Sequence, residues 1–591
     1  MLRLADGIFT EPGSCESILG ESIGSRSISL WVAGETGAVA AALVRAVSTV
    51  HDLSSRETHA ARPTAVWVAD RTYPDGEAAT AWVRGAIQAG RRRLILVSSA
   101  EVFTPSHRHL GMVDENRDPE RGPIQERAVR WQRLEKGVRE AAEAAPETTE
   151  LVILRPTAMA VPGGKDLWSR LLRGPVAFVA AGFDPSVQWI EVEDTARIVR
   201  SLAALPTDRL FGSDGTRCRV FHVTPTGTEP LRRSLRRRGV RPLAIPSPLL
   251  RLLRRLQGRE PSEVDALCHP FTVDGRRLRR LLESTGAESS PAPVDRPMGS
   301  RRGHGSRRDH GSDDPFGLDK PYVDRLGKTL FRFLHDVYWR IEWRGLEHVP
   351  PQGKGVLVGV HRGHQPWDGV MVLHRLARSL RRYPRFLVHP TLLKHPFSAP
   401  YMIKCGGLHA CRENGDYVLD QDELLAIFPE GIRGAFTHYR DAYRLQGFGR
   451  YDFVKFALRH RAPIVPFVVV GSAEIFPILG KIKWPWWQCF SEWPCLPITP
   501  TLSLLPLPSK WHVLFLDPVP VHRCYGPEAA DDPAVVRRIG REVKESMQRA
   551  LTELRGRRKN VFYGSIFDRS DPETGLIPTS PRPPVAPEVF P

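Results

Sequence analysis

The chain has 591 residues, 41% of them hydrophobic, with a formal net charge of +18 and a pI near 9.8. Domains usually contain ~100–200 residues, so we expect two large domains or three smaller ones. The charge predicts an anionic partner, such as a phospholipid surface, a phosphorylated substrate or nucleic acid, and a solvated surface shaped by codon bias is the alternative. The eight cysteines show no CxxC pair and no zinc-ligand spacing, which predicts no metal site and reduced thiols in a cytoplasmic setting.

The N-terminal segment, residues 1–27, is interpreted as an extension outside the folded domains. It contains Asp6, Glu11, Glu16 and Glu21 and has no apolar core of the kind that a signal peptide requires. The chain also has no run of 18 apolar residues. The sequence therefore predicts neither a cleaved signal nor a membrane-spanning helix.

Residues 28–285 alternate short apolar runs with helix-length segments. The apolar runs lie at 29–32, 65–68, 94–97 and 151–154. Strands separated by helices form βαβ units, in which the strands are parallel and the helices cover the sheet. The sequence therefore predicts an α/β domain built on a Rossmann-like, doubly wound parallel sheet.

A turn of small residues links the first predicted strand to its helix. Gly34, Gly37 and Ala40 allow the backbone to approach a pyrophosphate at a helix N-terminus. With Ser99 after a later strand, this pattern resembles the extended short-chain dehydrogenase/NAD-dependent epimerase family over most of the first domain. The resemblance implies NAD(P) binding at these four residues, and Asp52 is the candidate for a ribose hydroxyl.

The proton-transfer groups of that family are absent. Tyrosine is missing between Tyr73 and Tyr322, whereas the family uses a Tyr and a Lys four residues later. In the matching register, Arg127 takes the tyrosine position and Trp131 the lysine position, and neither can do that chemistry. We therefore predict an inactive, degenerate domain. Vestigial NAD(P) binding stays open, although Glu35 would place a carboxylate beside the phosphates of the dinucleotide.

The composition changes at residues 286–319, where Ser, Pro, Gly and Arg dominate. Such a segment cannot bury enough apolar surface to offset chain entropy, so we predict a basic flexible linker. Apolar periodicity resumes and extends over residues 320–560, the predicted second domain. A Pro-rich tail is predicted at 561–591.

A histidine and an aspartate follow the first buried strand predicted in the second domain. The apolar run at 356–360 places His361 and Asp368 at the carboxyl end of that strand. A neutral imidazole can take a proton from a hydroxyl, and a carboxylate on its other nitrogen fixes the tautomer and stabilises the imidazolium. Such a pair is sufficient for acyl transfer to a hydroxyl with His361 as the base, but a lone pair of this kind is more often a surface ion pair or a satisfied core histidine. His364 stays a rival base.

Three further blocks follow in order, at 411–414, 428–431 and 462–474. Together with the histidine and aspartate they resemble the PlsC-like glycerolipid acyltransferases over about residues 350–525. Six residues separate His361 from Asp368, a spacing similar to that of lysophospholipid acyltransferase-like proteins and diacylglycerol acyltransferase relatives. The resemblance implies a second α/β domain that uses acyl-CoA or acyl carrier protein as donor and a lysophospholipid or glyceride as acceptor.

The same resemblance implies roles for four more residues. Arg412 is expected to hold an anionic group of the acceptor, because a planar guanidinium matches phosphate geometry. Glu430 and Gly431 are expected on a tight turn, where the carboxylate bonds the acceptor hydroxyl and the glycine leaves an exposed N–H. Arg433 is expected to add positive potential near the pocket. No cofactor is required for this acyl transfer.

Three segments have the composition that is favoured at a membrane surface. Residues 248–256, 329–339 and 481–488 combine Leu or aromatic side chains with cations. We therefore expect a cytoplasmic protein that binds peripherally to an anionic membrane face. Aromatic residues that cap the core, with solvated arginines, are the alternative.

Two other functions stay open. An NAD(P)-dependent epimerase/dehydratase or oxidoreductase centred on Ser99 requires a proton donor that the sequence does not show. A non-enzymatic basic scaffold that binds membrane or nucleic acid is the second. Nucleic acid is the weaker partner, because the sequence contains no recognition-helix motif and no basic module with interleaved aromatics.

Overall fold

The computed structural model describes residues 30–35, 37–48, 63–72, 74–107, 111–119, 125–212, 216–270, 272–285, 314–449, 451–483 and 493–567. These residues form two α/β units. The predicted extension at 1–27, most of the linker at 286–319 and most of the tail at 561–591 lie outside the described residues, as does Asp52.

The first unit is built on a parallel sheet, as predicted. Its strands are β1 (Leu30–Gly34), β2 (Thr64–Val68), β3 (Arg93–Val97), β4 (Glu150–Pro156), β5 (Val176–Ala180), β6 (Ser186–Val187), β7 (Cys218–Val223), β8 (Glu229–Pro230) and β9 (Arg241–Ile245). The main sheet has the order β1-β2-β3-β4-β7 with all neighbours parallel, and β5-β9 and β6-β8 form two small ribbons.

Helices cover both faces of this sheet. They are α1 (Ala38–Ser48), α2 (Gly76–Gln88), α3 (Glu126–Glu143), α4 (Leu167–Leu171), α5 (Val192–Ala204), α6 (Thr207–Phe211), α7 (Leu231–Arg237), α8 (Ser247–Leu256), α9 (Asp265–Cys268) and α10 (Arg276–Ser284). Successive strand side chains point to opposite faces, so Ile95 and Val97 pack with α1 and α5, whereas Leu94 and Leu96 pack with α2 and α3. This two-sided burial explains the continuous apolar runs in the sequence.

The second unit contains a seven-stranded mixed sheet and a small ribbon. Its strands are β10 (Glu342–Arg344), β11 (Gly355–Gly359), β12 (Arg385–Val388), β13 (Gly407–His409), β14 (Leu424–Ile427), β15 (Ile464–Val470), β16 (Gly480–Ile482), β17 (Leu496–Ile498) and β18 (His512–Phe515). The sheet order is β10-β18-β15-β11-β14-β12-β13, with β18 antiparallel to β15. The ribbon is β16-β17.

The helices of the second unit surround this sheet. They are α11 (Lys320–Lys328), α12 (Leu330–Phe333), α13 (Trp367–Leu380), α14 (Ser398–Lys404), α15 (Arg412–Asp420), α16 (Gly431–Ala435), α17 (Asp452–Arg459) and α18 (Pro533–Arg557), and a short π-helix at Leu334–Tyr338 continues α12. Ile566 and Phe567 are buried in this core, so the second unit continues past the predicted boundary at 560.

The two units share apolar cores. Met112 of the first unit is buried in the core of the second unit together with Phe316 and Val418. Ala399 of the second unit is in turn buried in a core of the first. An ion pair of 2.7 Å between Arg117 and Glu413 also joins the units. The first unit therefore packs directly against the start of α15.

Candidate active site

The imidazole of His361 and the carboxylate of Asp368 face each other. Asp368 Oδ2 lies 2.9 Å from His361 Nδ1 and also accepts a hydrogen bond of 3.0 Å from the Arg362 N–H. Asp368 is 1% exposed and lies in the first turn of α13, where the helix dipole favours an anion. With Nδ1 engaged, the Nε2 atom is the nitrogen left to receive a proton.

Adjacent strands bring the two signature segments together. β11 ends just before His361, and its parallel neighbour β14 ends just before Phe428. Carboxyl ends of parallel strands meet at one edge of a sheet, and the rings of His361 and Phe428 lie 5.4 Å apart there. Gly359 is needed on this strand because a Cβ would collide with the ring of Phe467.

Glu430 holds a buried arginine instead of the substrate. Arg362 Nη1 and Nη2 donate to the Glu430 carboxylate at 2.7 and 3.1 Å, and both side chains are at most 3% exposed. The Gln446 N–H donates to Glu430 Oε1 at 2.5 Å. The prediction that this carboxylate bonds the acceptor hydroxyl is therefore corrected. Arg362 is the residue that the sequence pattern missed, although it directly follows His361.

Gly431 lies on the expected tight turn, but its N–H is engaged. The backbone has a φ of +56°, a conformation that favours glycine, and the amide donates to the Phe428 carbonyl at 2.9 Å. The expected exposed N–H is therefore corrected. Gly431 lines the cavity beside His361. Arg433 is exposed on α16 and does not line that cavity itself, but it directly follows Ile432, which does.

Arg412 lies at the rim of the cavity. Its side chain is 65% exposed, and its Nε donates to Asp416 one turn along α15 at 3.2 Å. The Cys411 sulfur caps the same helix by accepting from the Asn414 N–H. An exposed guanidinium beside an apolar cavity is suited to an anionic group at the mouth.

His364 is buried without a carboxylate partner. It is 4% exposed, and neither ring nitrogen has a hydrogen-bond partner among the described residues. Rings of Phe436, Phe476 and Trp493 surround it at 5.3–5.9 Å. Burial, with a smaller effect of His361, lowers the pKa of His364 to about 4. The geometry thus favours His361 over His364 as the base.

A cavity of about 630 Å³ opens beside His361. Its polar lining includes His361, His389 and Arg412, which lie near the carboxyl ends of β11, β12 and β13, and Asp452, Lys455 and Arg459 of α17. Apolar side chains make up most of the lining, including Val370, Leu373, Met402, Phe448, Phe453 and Phe456. A base beside a mainly apolar cavity fits a reaction at the head of a hydrocarbon chain.

In the first unit, carboxylates occupy the glycine-rich turn. Glu35 accepts backbone hydrogen bonds from Asp70 and Asp75 at 2.8 and 3.1 Å, and burial raises its pKa to about 7. A Cβ at Gly37 would collide with the Asp70 carboxylate, and one at Gly34 would lie 2.8 Å from Val44. Ala40 is buried in the core. Gly34, Gly37 and Ala40 therefore all have close packing contacts, and the Asp70 carboxylate beside Gly37 opposes a pyrophosphate there.

An ion cluster occupies the region of the expected proton donor. Arg127 contacts Glu101 at 2.7 Å, and Arg71 and Trp168 also bond this carboxylate. Burial would raise the pKa of Glu101, but Arg127 and Arg71 hold it below its usual value. Ser99 is fully buried and accepts a hydrogen bond from the Glu101 N–H. This end of the unit is filled with paired charges.

Comparisons with known proteins agree with an acyltransferase site in the segment that contains His361 and Asp368. Residues 340–470 match the family model described as Acyltransferase. Uncharacterized protein Rv0502 of Mycobacterium tuberculosis (strain ATCC 25618 / H37Rv) is 35% identical over 250 residues, which cover 40% of this chain and 68% of the relative. Uncharacterized protein ML2427 of Mycobacterium leprae (strain TN) is 35% identical over 250 residues, with 66% of its length covered. The chain belongs to the same family as these proteins and carries an acyltransferase domain.

A plant protein is also similar. Phytyl ester synthase 2, chloroplastic, of Arabidopsis thaliana is 29% identical over 143 residues, which cover 23% of this chain and 20% of the plant protein. The chain therefore spans about a fifth of that protein's length. Since the match is short, it supports only the coarse assignment to an acyltransferase.

Solved structures that contain NAD or NADPH resemble part of the chain at low scores. A MoeE5 complex with UDP-glucuronic acid and NAD is 16% identical with a TM-score of 0.32, covering 43% of this chain and 92% of that structure. Human epimerase family protein SDR39U1 with NADPH is 15% identical with a TM-score of 0.29, covering 43% and 92%. The Rossmann-like assignment of the unit preceding the acyltransferase domain rests on its own parallel sheet and two helical layers.

Two further features are absent from the described residues. None of their helices combines the length and hydrophobicity that a bilayer crossing needs. Within the same residues, no group of three or more His, Cys, Asp or Glu side chains is arranged to bind a metal ion.

Proposed function

We propose that the acyltransferase domain transfers a fatty acyl group from a thioester, acyl-CoA or acyl carrier protein, to a hydroxyl of a lysophospholipid or glyceride. The observation that carries this proposal is the 2.9 Å contact between His361 and Asp368 beside the mainly apolar cavity that His361 lines. It combines a correctly oriented base with space for a hydrocarbon chain.

The reaction follows from this arrangement. Nε2 of His361 takes the proton from the acceptor hydroxyl while the oxygen attacks the thioester carbonyl. The C–O bond forms, the C–S bond breaks, and the imidazolium returns its proton to the departing thiolate. Asp368 stabilises the imidazolium through Nδ1. Arg362 is a positioning residue, because it bonds both the Asp368 carboxylate and the His361 carbonyl.

A long-chain alcohol is a second candidate acceptor. The similarity to a protein named phytyl ester synthase favours it, because that name describes an ester of a neutral alcohol. Arg412 favours a phosphorylated acceptor instead, since its exposed guanidinium lies at the cavity rim. The two acceptor classes differ in charge, so the response to an Arg412 variant separates them.

We further propose that the first unit is a scaffold without oxidoreductase activity. Glu35 and Asp70 fill the turn where a dinucleotide pyrophosphate would lie, and Arg127 is paired with Glu101. Fluorescence titration with NADH and NADPH is expected to show no saturable binding. Micromolar binding with turnover of a nucleotide sugar or alcohol would contradict this role.

The experiment for the main proposal uses labelled oleoyl-CoA with a panel of lysophospholipids, mono- and diglycerides and long-chain alcohols. Wild-type protein is expected to form a labelled ester with one of these classes, and His361→Ala is expected to form none. Ester formation by both proteins at equal rates would overturn the proposal.

A further inference from the structure

The π-helix region of the acyltransferase domain presents an apolar face to solvent. Leu330, Phe333 and Val337 are 45%, 52% and 59% exposed. Their spacing of three and four residues places them on one side of α12 and the π-helix that continues it. Neighbouring buried residues, such as Phe331 and Leu334, already supply the packing to the core. Leu330, Phe333 and Val337 lie outside this buried core.

A nearby loop holds three more leucines in solvent. Leu502, Leu504 and Leu505 are 74%, 80% and 69% exposed. Leu502 and Ser503 have φ values of +50° and +64°, a region that residues with side chains rarely adopt. Hydrogen bonds hold this shape, because the Ser503 N–H donates to Thr499 Oγ1 at 2.8 Å and the Thr501 hydroxyl donates to the Leu505 carbonyl at 2.7 Å. The loop is built to direct leucines outward.

The helical face and the loop adjoin each other. The Tyr338 hydroxyl donates to the Pro506 carbonyl at 2.7 Å, and Trp339 Nε1 donates to the Leu507 carbonyl at 3.3 Å. These bonds join the end of the π-helix to the residues that follow the leucines. We call Leu330, Phe333, Val337, Leu502, Leu504 and Leu505 the apolar surface.

A cationic cleft lies beside the helical part of this surface. Its volume is about 210 Å³, and it lies between α11, α12 and α13. Its lining includes four cations, Lys328, Arg332, Arg378 and Arg381, and one carboxylate, Asp324. Arg332 and Arg378 also contact Asp336 at 3.5 and 3.4 Å, so the cations still outnumber the nearby acids. The cleft is suited to an anion.

A buried imidazole at the cleft supports this interpretation. His374 lines the cleft, is 3% exposed, and its Nε2 has no hydrogen-bond partner among the described residues. A buried polar atom without a partner indicates a ligand or an ordered water. Leu373, the preceding residue on α13, lines the cavity beside His361. The cleft and the cavity therefore lie on different faces of the same helix.

We propose that the apolar surface and the cationic cleft dock the protein on a membrane that contains anionic phospholipid. The leucines and Phe333 enter the boundary between headgroups and acyl chains, and the cleft binds a headgroup phosphate. Charge favours this partner over a second copy of the chain, because a second copy carries the same net charge of +18. The docking extends the proposed function, since it places the cavity at the source of lipid substrates, but it does not require acyl transfer.

Vesicle flotation tests the proposal on the full chain. Wild-type protein is expected to float with vesicles of phosphatidylcholine and about one third phosphatidylglycerol, and less with phosphatidylcholine alone. The triple variant Leu502→Ser, Leu504→Ser, Leu505→Ser is expected to lower the bound fraction about tenfold. Arg378→Gln with Arg381→Gln is expected to remove the preference for phosphatidylglycerol. Leu256→Ser changes a leucine that is 75% exposed on α8, within the candidate segment 248–256 of the first unit, and is expected to float as wild type because the proposed docking uses the acyltransferase domain.

Membrane binding and acyl transfer are expected to be lost in different variants. His361→Ala is expected to float normally while lacking transfer, and the triple leucine variant is expected to keep wild-type transfer to detergent-dispersed substrates. Unchanged flotation of the triple variant, or an equal loss in Leu256→Ser, would overturn the assignment.

Two other occupants would be recognised by different results. A concentration-dependent dimer that the triple variant abolishes would assign the surface to a second copy, and tight binding of inorganic phosphate without vesicles would assign the cleft to a soluble anion. Both outcomes contradict the membrane proposal.

Discussion

Arg362 and Glu430 form a buried, two-bond ion pair that joins the segment carrying the base to the segment following β14. Arg362 also bonds Asp368 through its N–H and the His361 carbonyl through its guanidinium. The ion pair therefore holds the segment that carries His361 against the turn that carries Glu430. Removing one partner of a buried pair leaves an uncompensated charge, at a cost of ~3–5 kcal/mol.

Glu430→Gln is therefore expected to lower stability by about 3 kcal/mol and to lower kcat, because the His361 segment loses its anchor. KM for the acceptor is expected to change little, since the carboxylate does not face the cavity. Thermal denaturation and steady-state kinetics measure both effects. Glu413→Gln is the matched control, because its partly exposed pair with Arg117 contributes at most ~1 kcal/mol. A raised KM with normal stability would restore Glu430 as an acceptor ligand.

Arg412→Ala is expected to raise KM about tenfold for a phosphorylated acceptor and to leave kcat unchanged, because one charge-assisted hydrogen bond is lost. For a long-chain alcohol the same variant is expected to behave as wild type. Initial rates over a range of acceptor concentrations measure this difference. Arg433→Ala, an exposed arginine outside the cavity, is the control. An equal rise in KM for both acceptor classes would contradict a phosphate contact.

His364 is expected to make stability depend on acidity. Its pKa is about 4 in the folded chain and ordinarily 6.5, so between these values the unfolded chain binds a proton that the folded chain does not. The contribution of neutral His364 to the free energy of unfolding is fully present above pH 6.5. It is lost as the pH falls toward 4, at about 1.4 kcal/mol per pH unit. Urea denaturation at several pH values is expected to show a shallower dependence for His364→Phe. An identical dependence in both proteins would contradict a buried neutral imidazole.

The two units are expected to remain associated without a covalent link. Met112 and Ala399 are each buried in a core formed mainly by the other unit. Residues 1–290 and 310–591, expressed together as separate chains, are therefore expected to copurify on a tag carried by one of them. Met112→Asp is expected to weaken the complex, because it buries a charge in an apolar core. Separate elution of the unaltered halves would contradict the shared cores.

Local patterns predicted that His361 and Asp368 would lie together. His361 and Asp368 lie seven positions apart around one strand end, so a short turn suffices to bring them together. The role of Glu430 was not predictable in this way, because its partner Arg362 lies on a different strand end and depends on the pairing of β11 with β14. An arginine next to the base and a glutamate in the following block were the signals for a buried pair.

In the first unit, too, contacts between distant segments could not be predicted from local sequence patterns. The missing tyrosine was evident from the sequence, but the ion cluster of Arg127, Glu101 and Arg71 depends on residues from three separate segments. The leucines at 502–505 had no periodic pattern to mark them. Their exposure depends on left-handed backbone at Leu502 and Ser503, which sequence periodicity does not report.

The most direct measurement is the rate of acyl transfer by His361→Ala compared with His348→Ala. His348 bonds the Phe515 carbonyl and precedes β11, at the other end of the strand from the active site, so its removal is expected to leave transfer intact. His361→Ala is expected to lower kcat/KM by ~10³-fold or more, because the hydroxyl loses its base. Wild-type transfer by a folded His361→Ala protein would contradict the central role of the His361–Asp368 pair.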